Sequence, residues 1–190
     1  MSSSADAQIA TSIRGILSDV DGVLSDGLIT YDAAGNETKS FHARDGLGIK
    51  LWMQEGLHFG IITARQSEIV SRRAQELGIS DVDQGQRDKW AAAKSRIQSW
   101  GLRPQEVAYI GDDLPDLVVM RRIGLAVAPA DAAADVCAAA DWVLQTPGGR
   151  GAVRELIERL MRSCQVWEPH VRAFNSPSSP RLPGTDETRC

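Results

Sequence analysis

Asp19, Asp21 and Gly22 are the first residues of the chain whose types and spacing could do chemistry. They close an apolar run, Ile13–Asp19. In an extended strand side chains alternate, so positions 19 and 21 share a face. Two ionised carboxylates held that close repel unless a cation or a shared proton offsets the repulsion. Gly22 lets the chain leave the strand sharply. A pair of solvated turn aspartates would read the same way, so this motif alone does not decide.

A second acidic set, Gly111-Asp112-Asp113-Leu114-Pro115-Asp116, follows the apolar run from Val107. Several hard oxygen donors suit magnesium, which binds through a few carboxylates and a phosphate. A helix start explains the same residues: Asp113 as cap, Pro115 as the first helical residue, Asp116 facing the dipole. Capping accounts for one aspartate but does not require two in succession. Thr63 follows Phe59-Gly60-Ile61-Ile62 and precedes Ala64-Arg65. A hydroxyl followed by free N–H groups makes an anion site, and also a plain helix cap. Lys89 opens a helical pattern, where a cation is mildly unfavourable. Together these residues describe phosphoryl transfer. A carboxylate attacks, magnesium offsets its repulsion from the phosphate, a second acid protonates the leaving oxygen, and a hydroxyl and an ammonium hold the phosphoryl oxygens.

The elements that must position them are legible as short apolar runs alternating with helical patterns. The strand candidates are Ile13–Asp19, Leu57–Thr63, Asp81–Gln84, Val107–Gly111, Gly124–Val127 and Trp142–Leu144. Helical spacing covers Gln66–Leu77 and Ala152–Met161, and a helix from Asp88 to Trp100 would bury Trp90, Ala93 and Ile97. This alternation predicts an α/β fold, a Rossmann-like parallel sheet with helices on both faces. Ligands of such sheets bind beyond the carboxyl ends of the strands, where Asp19, Thr63 and Asp112 fall. One segment breaks the rhythm: alternation on either side of Gly35-Asn36, from Gly27 to His42, predicts a β-hairpin overhanging the first strand.

The chain has 190 residues, 43% apolar and 24% charged, which excludes a disordered or collagen-like protein and fits one domain. No apolar run is long enough to span a bilayer, so no membrane partner is expected. A net charge of −4 lacks the basic surplus of nucleic-acid binders. Cys137, Cys164 and Cys190 are odd in number and widely spaced, which fits reduced thiols in the cytoplasm. Residues 1–12 are polar, lack an apolar signal core and read as a flexible leader. Residues 13–167 form the expected domain, and 168–190, with four prolines and three serines, a mobile tail.

The order Asp19/Asp21, Thr63, Lys89, Asp112/Asp113 resembles the haloacid dehalogenase superfamily. The segments 19–27, 41–48, 109–116 and 148–155 further resemble the phosphatases of 3-deoxy-D-manno-octulosonate 8-phosphate (KDO 8-phosphate). The resemblance implies a capless homotetramer that needs magnesium, in which a neighbour's hairpin and C-terminal segment help close each site. Its product would feed lipopolysaccharide synthesis. Asp19 would be the nucleophile, and Asp21 the general acid and then base. Asp19, the Asp21 carbonyl and Asp112 would be the metal ligands, with Asp113 behind them, hydrogen-bonded to Lys89. Thr63 and Lys89 would hold the phosphate. His42, Ala43, Arg44, Asp45, Gly46, Lys50, Arg65 and Arg73 would contact the phosphorylated keto-sugar acid; the arginines read equally as surface residues. Ala64, His42 and Lys50 depart from the usual Gly, Asn and Arg, which bears on sugar specificity. A phosphatase for a related acid such as a nonulosonate 9-phosphate shares this scaffold. A phospho-receiver module uses similar groups in another order, and an assembly module would not need them.

Overall fold

The computed structural model describes residues 10–175. Eight strands and seven α-helices lie wholly within the described residues and follow in chain order. They are β1 (Gly15–Ser18), β2 (Thr30–Tyr31), β3 (Glu37–Thr38), α1 (Ala43–Gln54), β4 (His58–Ile62), α2 (Glu68–Leu77), β5 (Asp81–Asp83), α3 (Lys89–Ser99), β6 (Val107–Ile110), α4 (Leu117–Met120), β7 (Leu125–Ala128), α5 (Ala134–Ala139), β8 (Trp142–Val143), α6 (Ala152–Ser163) and α7 (Trp167–Phe174). Six strands form one sheet in the order β5-β4-β1-β6-β7-β8. Every pairing in it is parallel.

The inner strands β1, β4, β6 and β7 are short and mainly apolar because both faces are covered, whereas the edge strand β5 carries Asp81 and Asp83 and is half-buried. Ile16, Ile61, Ile110 and Val127 point to a core shared with α1, α2 and α6. Their neighbours Leu17, Ile62, Tyr109 and Ala126 point to a second core under α3 and α4. The expected helix 88–100 buries Ala93 and Ile97, while Trp90 is only half-buried and lies beneath the Arg122 guanidinium. The residue that turns inward there is Lys89.

The hairpin pairs Thr30 with Thr38 and Tyr31 with Glu37. Asp32 closes its turn by accepting from the backbone N–H groups of Ala34 and Asn36, each at 2.8 Å. The ribbon is shorter than the alternation predicts, because residues 39–42 leave it and His42 caps α1. Two glycines in α1 are sites of close packing. A Cβ at Gly46 would stand 2.5 Å from Arg73 Nη2, and one at Gly48 3.1 Å from Arg154 Cδ. The tail expected from residue 168 is partly helix: α7 buries Trp167, with Arg154 stacked on its ring. Of the expected leader, Ala10 is buried in the core; residues 1–9 and 176–190 lie outside the described residues. Among the described residues, no helix is long and apolar enough to cross a membrane.

Candidate active site

The two acidic loops meet at the carboxyl end of the sheet, across the boundary between β1 and β6. Asp19 stands one residue past β1, and its N–H still donates to the Ile110 carbonyl at 3.0 Å. Thr63 is fixed in the same way by the Asp83 carbonyl, also at 3.0 Å. The sheet thus fixes the backbone of both. Gly22 turns the chain at φ +87°, and a Cβ there would lie 1.9 Å from Asp112 Oδ2. A side chain at position 22 would strain the backbone and displace the Asp112 carboxylate.

A cavity of about 260 Å³ opens between them, lined by Asp19, Asp21, Thr63, Arg65, Lys89 and Asp112 among others. Carboxylate oxygens of Asp19, Asp112 and Asp116 lie within 4.8 Å of one another. Lys89 Nζ bridges two of these acids, 2.6 Å from Asp19 Oδ2 and 2.7 Å from Asp116 Oδ1. The Val20 N–H donates to Asp19 Oδ1 at 2.7 Å. Burial, with Asp116 nearby and against the pull of Lys89, pushes Asp19 up to about 6. Burial and the charges of Asp19 and Asp116 push Asp112 up to about 7. Burial disfavours the charge on Lys89, but Asp19 and Asp116 outweigh it and raise its pKa. One ammonium facing three acids leaves the cluster short of positive charge, which is the setting a divalent cation fits.

Asp116, read as a helix-dipole residue, is instead a fully buried hub. It accepts from Tyr109 OH at 2.5 Å, from Lys89, and from the Asp112 and Asp113 N–H groups at 3.0 and 3.2 Å. Asp113 does not touch Lys89; its carboxylate caps the short turn by accepting from the Leu114 N–H at 2.8 Å. Capping thus describes Asp113 fully and Asp116 only in part, since Asp116 closes a capping box through the Asp113 N–H but spends its other bonds on Tyr109, Lys89 and the Asp112 N–H. The Tyr109 and Asp116 roles were missed because nothing in their spacing reveals a buried partner.

Thr63 Oγ1 accepts from the Arg65 N–H at 3.2 Å and faces the cavity. Arg65 donates to Glu37 at 2.7 Å, and its Nε lies 3.8 Å from Asp21 Oδ2. The other expected substrate contacts do not line this cavity. His42, Asp45, Gly46 and Arg73 border a separate small apolar space between α1 and α2. Asp45 accepts from the Arg154 N–H at 2.6 Å, its Oδ2 has no partner, and burial lifts it to about 6. Ala43 and Arg44 are exposed, Arg44 on a groove along α6, and Lys50 is half-buried on α1. The glycine-rich turn before α6 packs on its own chain. The Gly149 N–H donates to the Val23 carbonyl at 2.8 Å, and a Cβ at Gly148 would stand 1.9 Å from the Gly22 oxygen.

A parallel sheet with acids, threonine and lysine gathered at its carboxyl end defines a haloacid dehalogenase-like hydrolase. The family model of that description matches residues 80–156. The 3-deoxy-D-manno-octulosonate 8-phosphate phosphatase of Escherichia coli strain K12 is 44% identical over 152 residues, spanning 80% of this chain and 81% of that protein. The structure of the Moraxella catarrhalis phosphatase of the same name, in complex with a magnesium ion, a phosphate ion and KDO, is 40% identical with a TM-score of 0.86, covering 88% of this chain and 97% of that one. The cobalt-bound form of the deoxy-D-mannose-octulosonate 8-phosphate phosphatase of Haemophilus influenzae is 37% identical with a TM-score of 0.82, covering 90% and 98%. The chain belongs to the 3-deoxy-D-manno-octulosonate 8-phosphate phosphatase family.

Proposed function

We propose that this protein is a magnesium-dependent phosphoric monoester hydrolase that converts KDO 8-phosphate to the free sugar acid and phosphate through an aspartyl-phosphate on Asp19. The observation that carries the reading is the bridge from Lys89 to Asp19 and Asp116, with the Asp112 carboxylate beside it. Asp116 already accepts four hydrogen bonds, so the carboxylates left for a cation are those of Asp19 and Asp112, joined by the Asp21 carbonyl. When bound, magnesium supplies the positive charge that lets a phosphate dianion approach a carboxylate.

The chain's own groups do the rest. Lys89 and the Val20 N–H orient the Asp19 carboxylate for attack on phosphorus. Thr63 and Lys89 hold phosphoryl oxygens. Asp21, two residues on, gives a proton to the leaving oxygen and then takes one from the attacking water. Arg65 lines the same cavity and offers a guanidinium to the substrate's carboxylate.

His42–Gly46, Lys50 and Arg73 act on the sugar acid in an assembly, with a neighbour's hairpin and C-terminal segment completing the site. Two facts support a homotetramer of this kind. These residues do not line the acid cavity of their own chain, and the hairpin exposes Leu28, Ile29 and Tyr31 beside it. The free thiols Cys137 and Cys164 fit a cytoplasmic enzyme supplying lipopolysaccharide synthesis. The test is phosphate release from a panel of phosphorylated keto-sugar acids, eight- and nine-carbon, with and without chelator. KDO 8-phosphate should turn over fastest, only with magnesium, and not at all in Asp19→Asn. Equal rates on simple phosphate esters would refute the substrate assignment.

A further inference from the structure

The hairpin lies at the surface, yet the side chain of its Lys39 is only 1% exposed. Lys39 Nζ contacts Asp21 Oδ1 and stands 3.4 Å from Glu37 Oε1. A buried ammonium needs charged partners at close range. Glu37 is itself anchored, by Arg65 Nη2 at 2.7 Å and by the Ser67 hydroxyl at 3.1 Å. Ser67 stands at the N-cap position of α2, but its hydroxyl goes to the hairpin and not to the helix. Burial works against the Glu37 charge, and Ser67, Arg65 and Lys39 more than offset it, holding its carboxyl below the usual range. The Asp21 carboxylate is gripped again from its own turn, where Ser25 Oγ donates to Oδ1 at 3.3 Å.

We propose that Lys39, anchored by Glu37, is a positioning residue that orients the Asp21 carboxylate toward the leaving oxygen. This rests on the phosphatase reading above, with Asp21 as proton carrier. In that step an Asp19 oxygen bonds to phosphorus and the ester P–O bond breaks. The departing oxygen keeps the electron pair and takes the Asp21 proton, so the sugar acid leaves with a neutral hydroxyl at that carbon. A carboxylate on a single methylene turns freely about two bonds, and a charge-assisted contact removes that freedom. The ammonium pairs best with the ionised carboxylate that Asp21 becomes as its proton leaves, so the contact strengthens along the reaction.

The experiment compares kcat/KM, which covers only the steps through phosphorylation of Asp19, for KDO 8-phosphate and p-nitrophenyl phosphate. The first leaves as an alkoxide that needs a proton; the second leaves as a stable anion. Proton transfer to a leaving group is worth about 10²–10⁴-fold. Lys39→Met should therefore lower kcat/KM on the sugar ester by about tenfold or more and on the aryl ester by less than about threefold, and Lys39→Arg should recover most of the loss. If Lys39→Met fails to fold by circular dichroism, Glu37→Gln replaces it and should show a smaller loss with the same selectivity. Equal losses on both esters, or no loss on either, overturn the inference and leave the phosphatase reading standing. A wild-type protein that hydrolyses neither ester removes that reading and this inference with it.

Discussion

Removing magnesium should make the protein less stable as pH rises from 5 to 7, and restoring it should flatten that slope. Without a cation, burial among acids lifts Asp19 from 3.8 to about 6. The folded state then holds this proton more tightly than the unfolded chain does. Stability from that proton is fully present below the unfolded pKa and is lost as pH climbs through the folded one. About two pH units at roughly 1.4 kcal/mol each give about 3 kcal/mol for Asp19 over its whole range, of which about half is lost between pH 5 and 7. Asp112, lifted to about 7, acts in the same direction, but water at the cavity mouth screens it and its share is smaller. For a domain of this size the roughly 1.5 kcal/mol lost by Asp19 over that window moves Tm by roughly 3–6 °C, and Asp112 adds to it. Asp45, also raised to about 6, lies away from the cavity and contributes with or without metal, so only the difference between the two curves reports on the cavity. The assay is thermal unfolding by circular dichroism at pH 5, 6 and 7, in chelator and in millimolar magnesium. A chelated protein whose Tm is flat or rises over that range, or identical slopes in both buffers, would refute the convergence of these acids on one cation.

Two substitutions separate the neighbouring aspartates. Asp116→Asn should cost about 3 kcal/mol in urea unfolding, since it leaves Lys89 short of a buried partner, whereas Asp113→Asn, at an exposed cap that asparagine also serves, should stay within about 0.5 kcal/mol. Gly22→Ala forces a methyl onto the Asp112 carboxylate, so magnesium affinity by titration calorimetry should fall by about tenfold or more while the circular dichroism spectrum is retained.

The sheet was legible because its strands are buried on both faces. Runs such as Val107–Ile110 leave no charged residue to confuse the reading, and Asp19, Thr63 and Asp112 past their ends line one cavity. Helix α1 was not legible. Its Asp45-Gly46-Leu47-Gly48 stretch carries two poor helix formers whose cause, close approach of Arg73 and Arg154, is tertiary. Asp116 was misread because capping sufficed to explain it, and its partner Tyr109 looked like an ordinary core aromatic. Lys39 was passed over because alternation places it on a solvated ribbon; only the folded chain shows it buried against Asp21. The substrate residues on α1 and α2 rest on resemblance, and one chain does not bring them to the acids.

The central strand β1 also comes first in chain order among the described strands. Gly15 must wait for His58 on one side and Val107 on the other before its ladder is complete. During synthesis β1 therefore remains an apolar segment without its second neighbour until Val107 has been made, and the acids of the cavity stay apart until then. The cavity is assembled late, by the same pairing that makes such long-separation folds slow to form and exposed to misassociation on the way.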